Sequence, residues 1–420
     1  MIQNYVLSGD IILRKEWFGC LVCNIKNGHF NQYNDDAFSI LKEIKNPLTI
    51  IELKNILKEN NFKISKKNLT RFLQEMYLDG VVLKSDKTQG ALIFFENEKN
   101  LRKDCLASPS SVTIYITNLC TKACKHCVNN SSPLINQRDE YSIEEWFKIL
   151  QKLRDFGVCS LVFTGGEPLL KDNIFEILKK ADEMKFSISL LTDFDDLNEN
   201  HIVKLKNLLY LSYIQVSLDG ASEENHDFIR GKGSFVKAIQ RMRLLQKHDI
   251  PYTISTTVNN RNISEIDCIV DISREYGAKY LYFNPLAPYG RAKERLIDWI
   301  LSDRQLYWLG KKYLQLIADG MVNPGNPFWE ENIEKINDDQ FHPFKGALTA
   351  VSLGVYNFSI GSKGECYLDS KMKAENLLCL GNALDDDIKK MWHHPKLDFL
   401  RSHYSPSFFA FIDQSLIQEE

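Results

Sequence analysis

Cys120, Cys124 and Cys127 stand in the run Cys-Thr-Lys-Ala-Cys-Lys-His-Cys, just after the apolar stretch Val112-Thr113-Ile114-Tyr115-Ile116-Thr117. Thiolates so closely spaced on one loop can each hold one iron of a 4Fe–4S cluster and leave the fourth iron without a protein ligand. An open iron can bind a small molecule, which separates a reactive cluster from an electron carrier held by four cysteines. A structural zinc site normally takes four ligands in two clusters, and no second cluster of matching spacing follows.

The elements around this loop have a clear rhythm. Further β-rich runs fall at 160–163, 187–191, 213–218, 252–257 and 280–283, with helical patterns at 143–156, 174–184, 235–247 and 263–276 between them. In the last helix Ile266, Ile269, Val270, Ile272 and Ser273 form an apolar stripe. Strand alternating with helix implies parallel strands joined by right-handed crossovers, and six such units suit a partial β/α barrel. The unusual residues all follow strands. The cysteines follow the first, Gly165-Gly166-Glu167-Pro168 the second and Thr192-Asp193 the third. Ser217-Leu218-Asp219-Gly220 closes the fourth, Thr257 and Asn259 follow the fifth, and Pro288-Tyr289-Gly290-Arg291 follows the sixth. In a β/α barrel the carboxyl ends of the strands form the active face, so these residues are expected to share one cofactor pocket.

Each motif has a physical task. The two glycines let backbone approach a ligand, so carbonyls at Thr164, Gly165 and Gly166 can accept hydrogen bonds from an ammonium group. Ser217 and Asp219 alternate with apolar Val216 and Leu218 and so share one strand face. Their oxygens can hold hydroxyls, although Asp219-Gly220 also reads as a simple turn. Arg230 offers a planar fork for a carboxylate, from solvent or from within the chain.

The CxxxCxxC loop after a first strand, the Gly-Gly-Glu-Pro run after the second and His226-Asp227-Phe228-Ile229-Arg230-Gly231 together resemble the radical S-adenosylmethionine (radical SAM) superfamily. The resemblance implies a 4Fe–4S cluster on Cys120, Cys124 and Cys127 whose open iron chelates the amino and carboxylate groups of S-adenosylmethionine. It assigns Thr164, Gly165, Gly166 and Glu167 to the methionine amino group, Ser217 and Asp219 to ribose or carboxylate, Arg230 to a carboxylate, and His126 to the adenine. Thr121 replaces the Asn often found after the first cysteine, and Asp193, in place of a usual Asn, receives no role.

Residues 1–95 change character. An Asn27-Gly28 turn joins 21–25 to 29–33 as a hairpin, Asn34 can cap a helix through Phe38, Leu41 and Ile44, and 50–57 and 66–78 make two more helices. This is the pattern of a winged helix-turn-helix. Few basic residues beyond the start of the third helix argue against nucleic acid. The arrangement resembles the precursor-recognition element of enzymes that modify ribosomally made peptides, where a leader peptide adds a strand at a sheet edge. By that resemblance His29, Phe30, Asn31, Gln32 and Tyr33 form the edge, and Lys67 and Arg71 pair with an acidic leader. Cys20 and Cys23 face opposite sides of a strand and make no metal pair.

The carboxyl-terminal region resembles the SPASM or twitch extension of peptide-modifying members, with its ligands missing. Val351 and Asp369 stand where cysteines belong, while Gly354, Gly361, Gly364, Gly381-Asn382 and Trp392 follow the pattern. Cys366 and Cys379 are out of register, so no auxiliary iron–sulfur cluster is expected. A side-chain cross-link removes two electrons, which such a cluster would accept. Epimerisation is redox-neutral for the peptide and needs a hydrogen-donating thiol, for which Cys366 and Cys379 are the candidates.

Composition fits this reading. A chain of 420 residues can bury more than one core, and a net charge of −3 makes no whole-chain case for nucleic acid or an acidic membrane. The start, Met1-Ile2-Gln3-Asn4, lacks the basic end of a signal peptide, and ten cysteines without one point to a reducing cytoplasm. Cys159 and Cys268 are expected as small core residues. The expected fold is α/β: a winged-helix domain over 1–95, a partial (β/α)6 TIM-like barrel over 108–310 and a small α+β extension over 340–420. The expected activity is hydrogen abstraction from a ribosomally made precursor peptide, giving a thioether or carbon–carbon cross-link, with epimerisation the alternative. A flavodoxin or ferredoxin is the expected reductant. A non-catalytic peptide- or nucleic-acid-binding protein is the rival class.

Overall fold

The computed structural model describes residues 3–94, 101–137, 140–320 and 355–401, less 369, 375, 377, 399 and 400. The amino-terminal region places β1 (Asn4–Leu7), β2 (Ile11–Glu16), β3 (Gly19–Asn24) and β4 (His29–Tyr33) before α1 (Asp35–Leu41). β5 (Leu48–Thr49), α2 (Ile50–Glu59), α3 (Lys66–Leu78), β6 (Val82–Lys84) and β7 (Leu92–Phe94) complete it. Gly28 turns the β3–β4 hairpin at φ +70°, a conformation that costs glycine least. Asn34 caps α1 as expected, and Thr49 with Glu52 closes a capping box on α2. The strands make two sheets, β5-β1-β6 and β4-β3-β2-β7, and α3 buries Leu69, Leu73 and Met76 between them and the other helices.

The middle of the chain forms six parallel strands in sequential order: β8 (Ser111–Thr117), β9 (Ser160–Gly165), β10 (Ser187–Leu191), β11 (Leu211–Ser217), β12 (Tyr252–Val258) and β13 (Tyr280–Pro285). Their crossovers carry α4 (Ile143–Asp155), α5 (Ile174–Glu183), α6 (Glu199–Lys206), α7 (Glu223–Arg230), α8 (Ser234–Lys247) and α9 (Ile266–Glu275). The central strand residues Ile114, Leu161, Phe163, Ile188, Leu190, Ile214, Val216 and Ile254 are fully buried against these helices. Burial of such a side chain is worth about 1.5–3 kcal/mol, so this apolar face fixes the strands against the helices. Beyond β13 come α10 (Arg291–Arg295) and α11 (Asp303–Ala318). Cys159 is buried as expected, but Cys268 is exposed. It lies off the α9 stripe, which buries Ile266, Ile269, Val270 and Ser273.

The amino-terminal domain docks on the amino-terminal ends of the barrel strands. A Cβ on Gly28 would stand 3.0 Å from Ser187 Oγ and 3.3 Å from Ser212 Oγ, and Lys185 Nζ donates to the carbonyls of Gly9 (3.1 Å) and Gly90 (2.7 Å). The pin of this interface is a buried ion pair between Arg14 and Glu16, 2.6 Å apart. Arg14 Nη1 donates to Ser108 Oγ (2.6 Å), Gly157 O (2.9 Å) and Pro109 O (3.2 Å), and Glu16 accepts the Ala107 amide at 2.7 Å. Cys20 packs in the amino-terminal core and Cys23 at the interface beside Cys159, on opposite strand faces as expected.

The carboxyl-terminal extension continues the barrel sheet. β14 (Asn357–Ile360) pairs in parallel with β8, followed by antiparallel β15 (Glu365–Tyr367) and β16 (Gly381–Asn382). Two short helices, α12 (Ser370–Ala374) and α13 (Ile388–Trp392), complete it. Trp392 is fully buried, and its indole N–H donates to Leu106 O at 2.9 Å. Val351, Gly354 and Asp369 lie outside the described residues. Among the described residues no helix is long and apolar enough to cross a membrane.

Candidate active site

The cysteine loop leaves β8 at its carboxyl end and is held along its backbone from several sides. Glu140 Oε1 accepts from Thr117 Oγ1 and the Asn118 amide, both at 2.8 Å. The Cys120 amide donates to Ser132 O (3.3 Å) and the Lys125 amide to Ile229 O (2.9 Å). Arg291, after the sixth strand, donates from Nε to Cys124 O (2.8 Å) and from its amide to Cys127 O (3.1 Å). Gly290 precedes it at φ +54°, where a Cβ would lie 2.5 Å from Cys127 O. The turn after β13 therefore clamps two of the three cysteines.

The glycine pair after β9 serves the same loop. The amides of Gly166 and Glu167 donate to Thr117 O (2.7 Å) and Leu119 O (2.8 Å). A Cβ on Gly165 would fall 2.1 Å from Thr117 O, and one on Gly166 2.0 Å from Leu119 O. In this chain the absent side chains make room for the start of the cysteine loop. Glu167 was expected at the cofactor, but both its oxygens are taken by the protein. Oε1 accepts from Thr192 Oγ1 (2.6 Å) and the Leu169 amide (3.0 Å), and Oε2 from the Asp193 amide (2.7 Å). Burial pushes its carboxyl up to about 7. Its place is to tie the ends of β9 and β10 together.

A buried charge network joins the loop to the ends of the third and fourth strands. Arg230 Nε meets Asp219 Oδ2 at 2.5 Å, Arg230 Nη1 meets Asp193 Oδ2, and His126 Nε2 stands 2.9 Å from Asp219 Oδ2. Arg241 Nη2 reaches Asp193 at 3.1 Å, and Lys122 from the loop lies 3.7 Å from Asp193 and 2.9 Å from Asp195. Burial alone would raise both central carboxyls. Arg230 overrides it at each, helped by Lys122 and Arg241 at Asp193 and by His126 at Asp219, and both lie far below the usual carboxylate range. Asp219 Oδ1 also accepts the Thr257 amide (2.8 Å), and His226 Nδ1 accepts the Asp219 amide (3.0 Å). Burial, then Arg230, lowers His226 to about 4, so its imidazole is neutral. Ser217 and Thr164 are half-buried at their strand ends, and the Ser217 amide faces Asp193 Oδ1 at 3.4 Å. Arg230, expected to grip a ligand carboxylate, thus has its fork filled by two carboxylates of the chain. Lys122 and Arg241 were missed by sequence reasoning, and Asp193 and Arg291, expected on the active face, were given no role there, because their partners lie at distant positions in the chain.

A model of the radical SAM superfamily matches residues 114–271. This stretch of the chain is similar to radical SAM domains. The AdoMet-dependent heme synthase of Methanosarcina barkeri (strain Fusaro / DSM 804) is 30% identical over 188 residues, 44% of this chain and 53% of its own. The chain thus spans about half the length of that curated relative. SuiB of Streptococcus suis, solved with its precursor peptide SuiA, aligns over 95% of this chain and 90% of its own, with a TM-score of 0.69 at 19% identity. SuiB bound to S-adenosylmethionine gives a TM-score of 0.68 at 16% identity, covering 94% and 90% of the two chains. At these identities the likeness to SuiB is one of fold.

The radical SAM family implies a 4Fe–4S cluster and S-adenosylmethionine, and the donor set fits them. Among the described residues no three His, Cys, Asp or Glu side chains converge as one metal ion requires. A cluster takes one thiolate per iron, so its three ligands need not converge on a point. Burial pushes Cys120 up to about 12 and Cys124 up to about 11. These half-buried and buried thiols become thiolates only against a strong cationic partner. His126, between two of the cysteines, has a side chain 9% exposed whose Nδ1 has no hydrogen-bond partner among the described residues. Such an orphan next to the cysteines awaits a polar ligand group.

The remaining predicted residues are dispersed. Cys366 is fully buried in the sheet, opposite Ile360, and Cys379 is exposed beside Gly381. His29, Phe30 and Asn31 are exposed on β4, which among the described residues pairs with β3 alone and is a sheet edge. Lys67 and Arg71 are exposed on α3.

Proposed function

We propose that this protein is a radical SAM enzyme that modifies a ribosomally made precursor peptide. The observation that carries the reading is the cysteine loop, held at the carboxyl ends of six parallel strands by Arg291, the glycine pair and the Asp193–Arg230–Asp219 network. Cys120, Cys124 and Cys127 would hold the cluster, and the Thr164 to Gly166 backbone, Ser217 and His126 would face S-adenosylmethionine. When bound, the pair supplies a 5′-deoxyadenosyl radical able to abstract hydrogen from a peptide. The chain's own part is to fix the loop, keep Asp219 and Asp193 ionised and paired, and shield the site from water.

The β4 edge, with Lys67 and Arg71 exposed on α3, is the proposed place for the leader. Main-chain pairing along His29 to Tyr33 would supply affinity. A thioether or carbon–carbon cross-link is the favoured product. Epimerisation is the alternative and needs an accessible thiol donor: the Cys366 sulfur is sealed in the core with its S–H on Gly364 O at 3.3 Å, which leaves the exposed Cys379 as its candidate. A reducing cytoplasm and a flavodoxin or ferredoxin complete the proposal.

The test is anaerobic reconstitution with iron and sulfide, then incubation with dithionite, S-adenosylmethionine and candidate precursor peptides encoded beside the gene. 5′-Deoxyadenosine and a peptide mass change from wild type, both lost in Cys124→Ala, are the expected result. A protein that binds no iron would overturn the reading.

A further inference from the structure

The extension has lost cysteines that its resemblance called for, yet it reaches back to the cysteine loop by another route. Lys373, on α12, points its ammonium at the loop, and Nζ donates to Asn129 Oδ1 at 2.5 Å. Asn129 Nδ2 donates in turn to Asn118 Oδ1 and Ser131 Oγ, both at 2.8 Å, and Asn118 Nδ2 donates to Ser362 Oγ at 3.0 Å. Ser362 and Lys373 both belong to the extension. The loop is therefore clasped at both ends, at Asn118 two residues before Cys120 and at Asn129 two residues past Cys127.

The charge on this clasp is not neutralised. Lys373 Nζ lies 5.0 Å from the ring centroid of Tyr115, and no carboxylate stands within ion-pair distance of it among the described residues. Glu365 contributes only a through-space field, one of its oxygens being bound to the Lys363 amide at 3.0 Å. Cys127 lies within the electrostatic reach of the ammonium. The loop's own lysines differ. Lys122 is matched by Asp193 and Asp195, and Lys125 is turned onto the Phe228 ring, 3.1 Å from its centroid.

Reducing an iron–sulfur cluster adds one negative charge, and nearby charge and burial set its potential. A fixed, half-buried cation favours the reduced form, because the low dielectric strengthens the attraction. We propose that Lys373 is a positioning residue that raises the reduction potential of the cluster held by Cys120, Cys124 and Cys127. The inference rests on the reading under Proposed function.

The experiment compares anaerobically reconstituted full-length wild type, Lys373→Met, Lys373→Arg and Asn129→Asp. Iron content is measured first, then the midpoint potential by dithionite titration followed by electron paramagnetic resonance of the reduced cluster. Lys373→Met is expected to shift the midpoint to a more negative value, with Lys373→Arg close to wild type. Asn129→Asp sets a carboxylate against the ammonium and is expected to shift it the same way, which keeps the test decisive if the methionine variant does not load iron. An unchanged midpoint in the loaded methionine or aspartate variant would overturn the inference, as would equal shifts in Lys373→Met and Lys373→Arg, which would mark a mere strap. Iron missing from wild type itself would overturn the functional reading, and this inference with it.

Discussion

Replacing Arg230 by Met tests whether the buried charge network holds the site together. Arg230 serves two carboxylates, and they are unequally exposed to its loss. Asp193 keeps Arg241 at 3.1 Å and Lys122 at 3.7 Å. Asp219, whose side chain is fully buried, keeps only His126 at 2.9 Å and the Thr257 amide at 2.8 Å. Removing one member of a buried ion pair typically costs 3–5 kcal/mol, and with two donors left to Asp219 the expected loss is about 3 kcal/mol. Adding Asp219→Asn removes the stranded charge, so the double variant should be more stable than the sum of the singles by about 2 kcal/mol. The pH dependence has a definite sign. In wild type the Asp219 carboxyl is depressed, so its contribution is present above the unfolded value and is lost as pH falls through the folded one. Without Arg230, burial dominates, the folded carboxyl rises, and the variant's deficit should shrink as pH is lowered from 8 to 5.5. Urea unfolding of the anaerobic proteins, followed by tryptophan fluorescence, reads all three effects. A deficit under ~1 kcal/mol, or one indifferent to both pH and Asp219→Asn, would refute the account.

Gly166→Ala drives a Cβ to within 2.0 Å of Leu119 O, so iron loading should fall well below wild type while far-ultraviolet circular dichroism is kept. Burial holds His226 at about 4 against an ordinary 6.5, so the folded state is fully favoured above pH 6.5 and loses about 3 kcal/mol as pH falls to 4. In His226→Gln the stability curve across that window should flatten, as urea midpoints at several pH values will show. Arg14→Met removes three hydrogen bonds from the domain interface and the buried ion pair with Glu16. The expected outcome is a loss of about 3 kcal/mol and faster release of the amino-terminal domain in limited proteolysis.

The barrel was legible because its signals are local. Runs at 187–191 and 252–257 reappear as Ser187–Leu191 and Tyr252–Val258, since alternating apolar patterns and flanking helices report burial directly. α3 begins and ends where its pattern did, at Lys66 and Leu78. The cysteine loop was legible for the same reason, three thiols lying within eight residues. What pairs across distance was not. Asp193 looked like a substitution without a role, yet it gathers Lys122, Arg230 and Arg241. Glu167 carried a ligand-binding expectation, and no local pattern announced that its carboxylate would also bind Thr192, Leu169 and Asp193. Cys268 failed for a simpler reason: a single position on a helix decides between core and solvent. Nor did any local pattern announce that β14 would pair with β8, because the register of distant strands is set only when the sheet assembles.

The docking of the amino-terminal domain beneath the barrel turns the molecule into a ruler. The turn before β4 rests on the first residues of β10 and β11, whereas the cysteines crown the opposite end of β8. Strands of five to seven residues separate the two levels, roughly 20 Å at about 3.3 Å per residue. On the function proposed above, a precursor anchored along β4 would have to climb that height before any of its residues met the cysteine loop, which takes at least about six fully extended residues. Precursors whose acceptor residue lies closer than this to the leader should pass unmodified, and lengthening the spacer should restore their modification. On this view the site of modification is chosen by distance along the peptide as well as by the side chain found there.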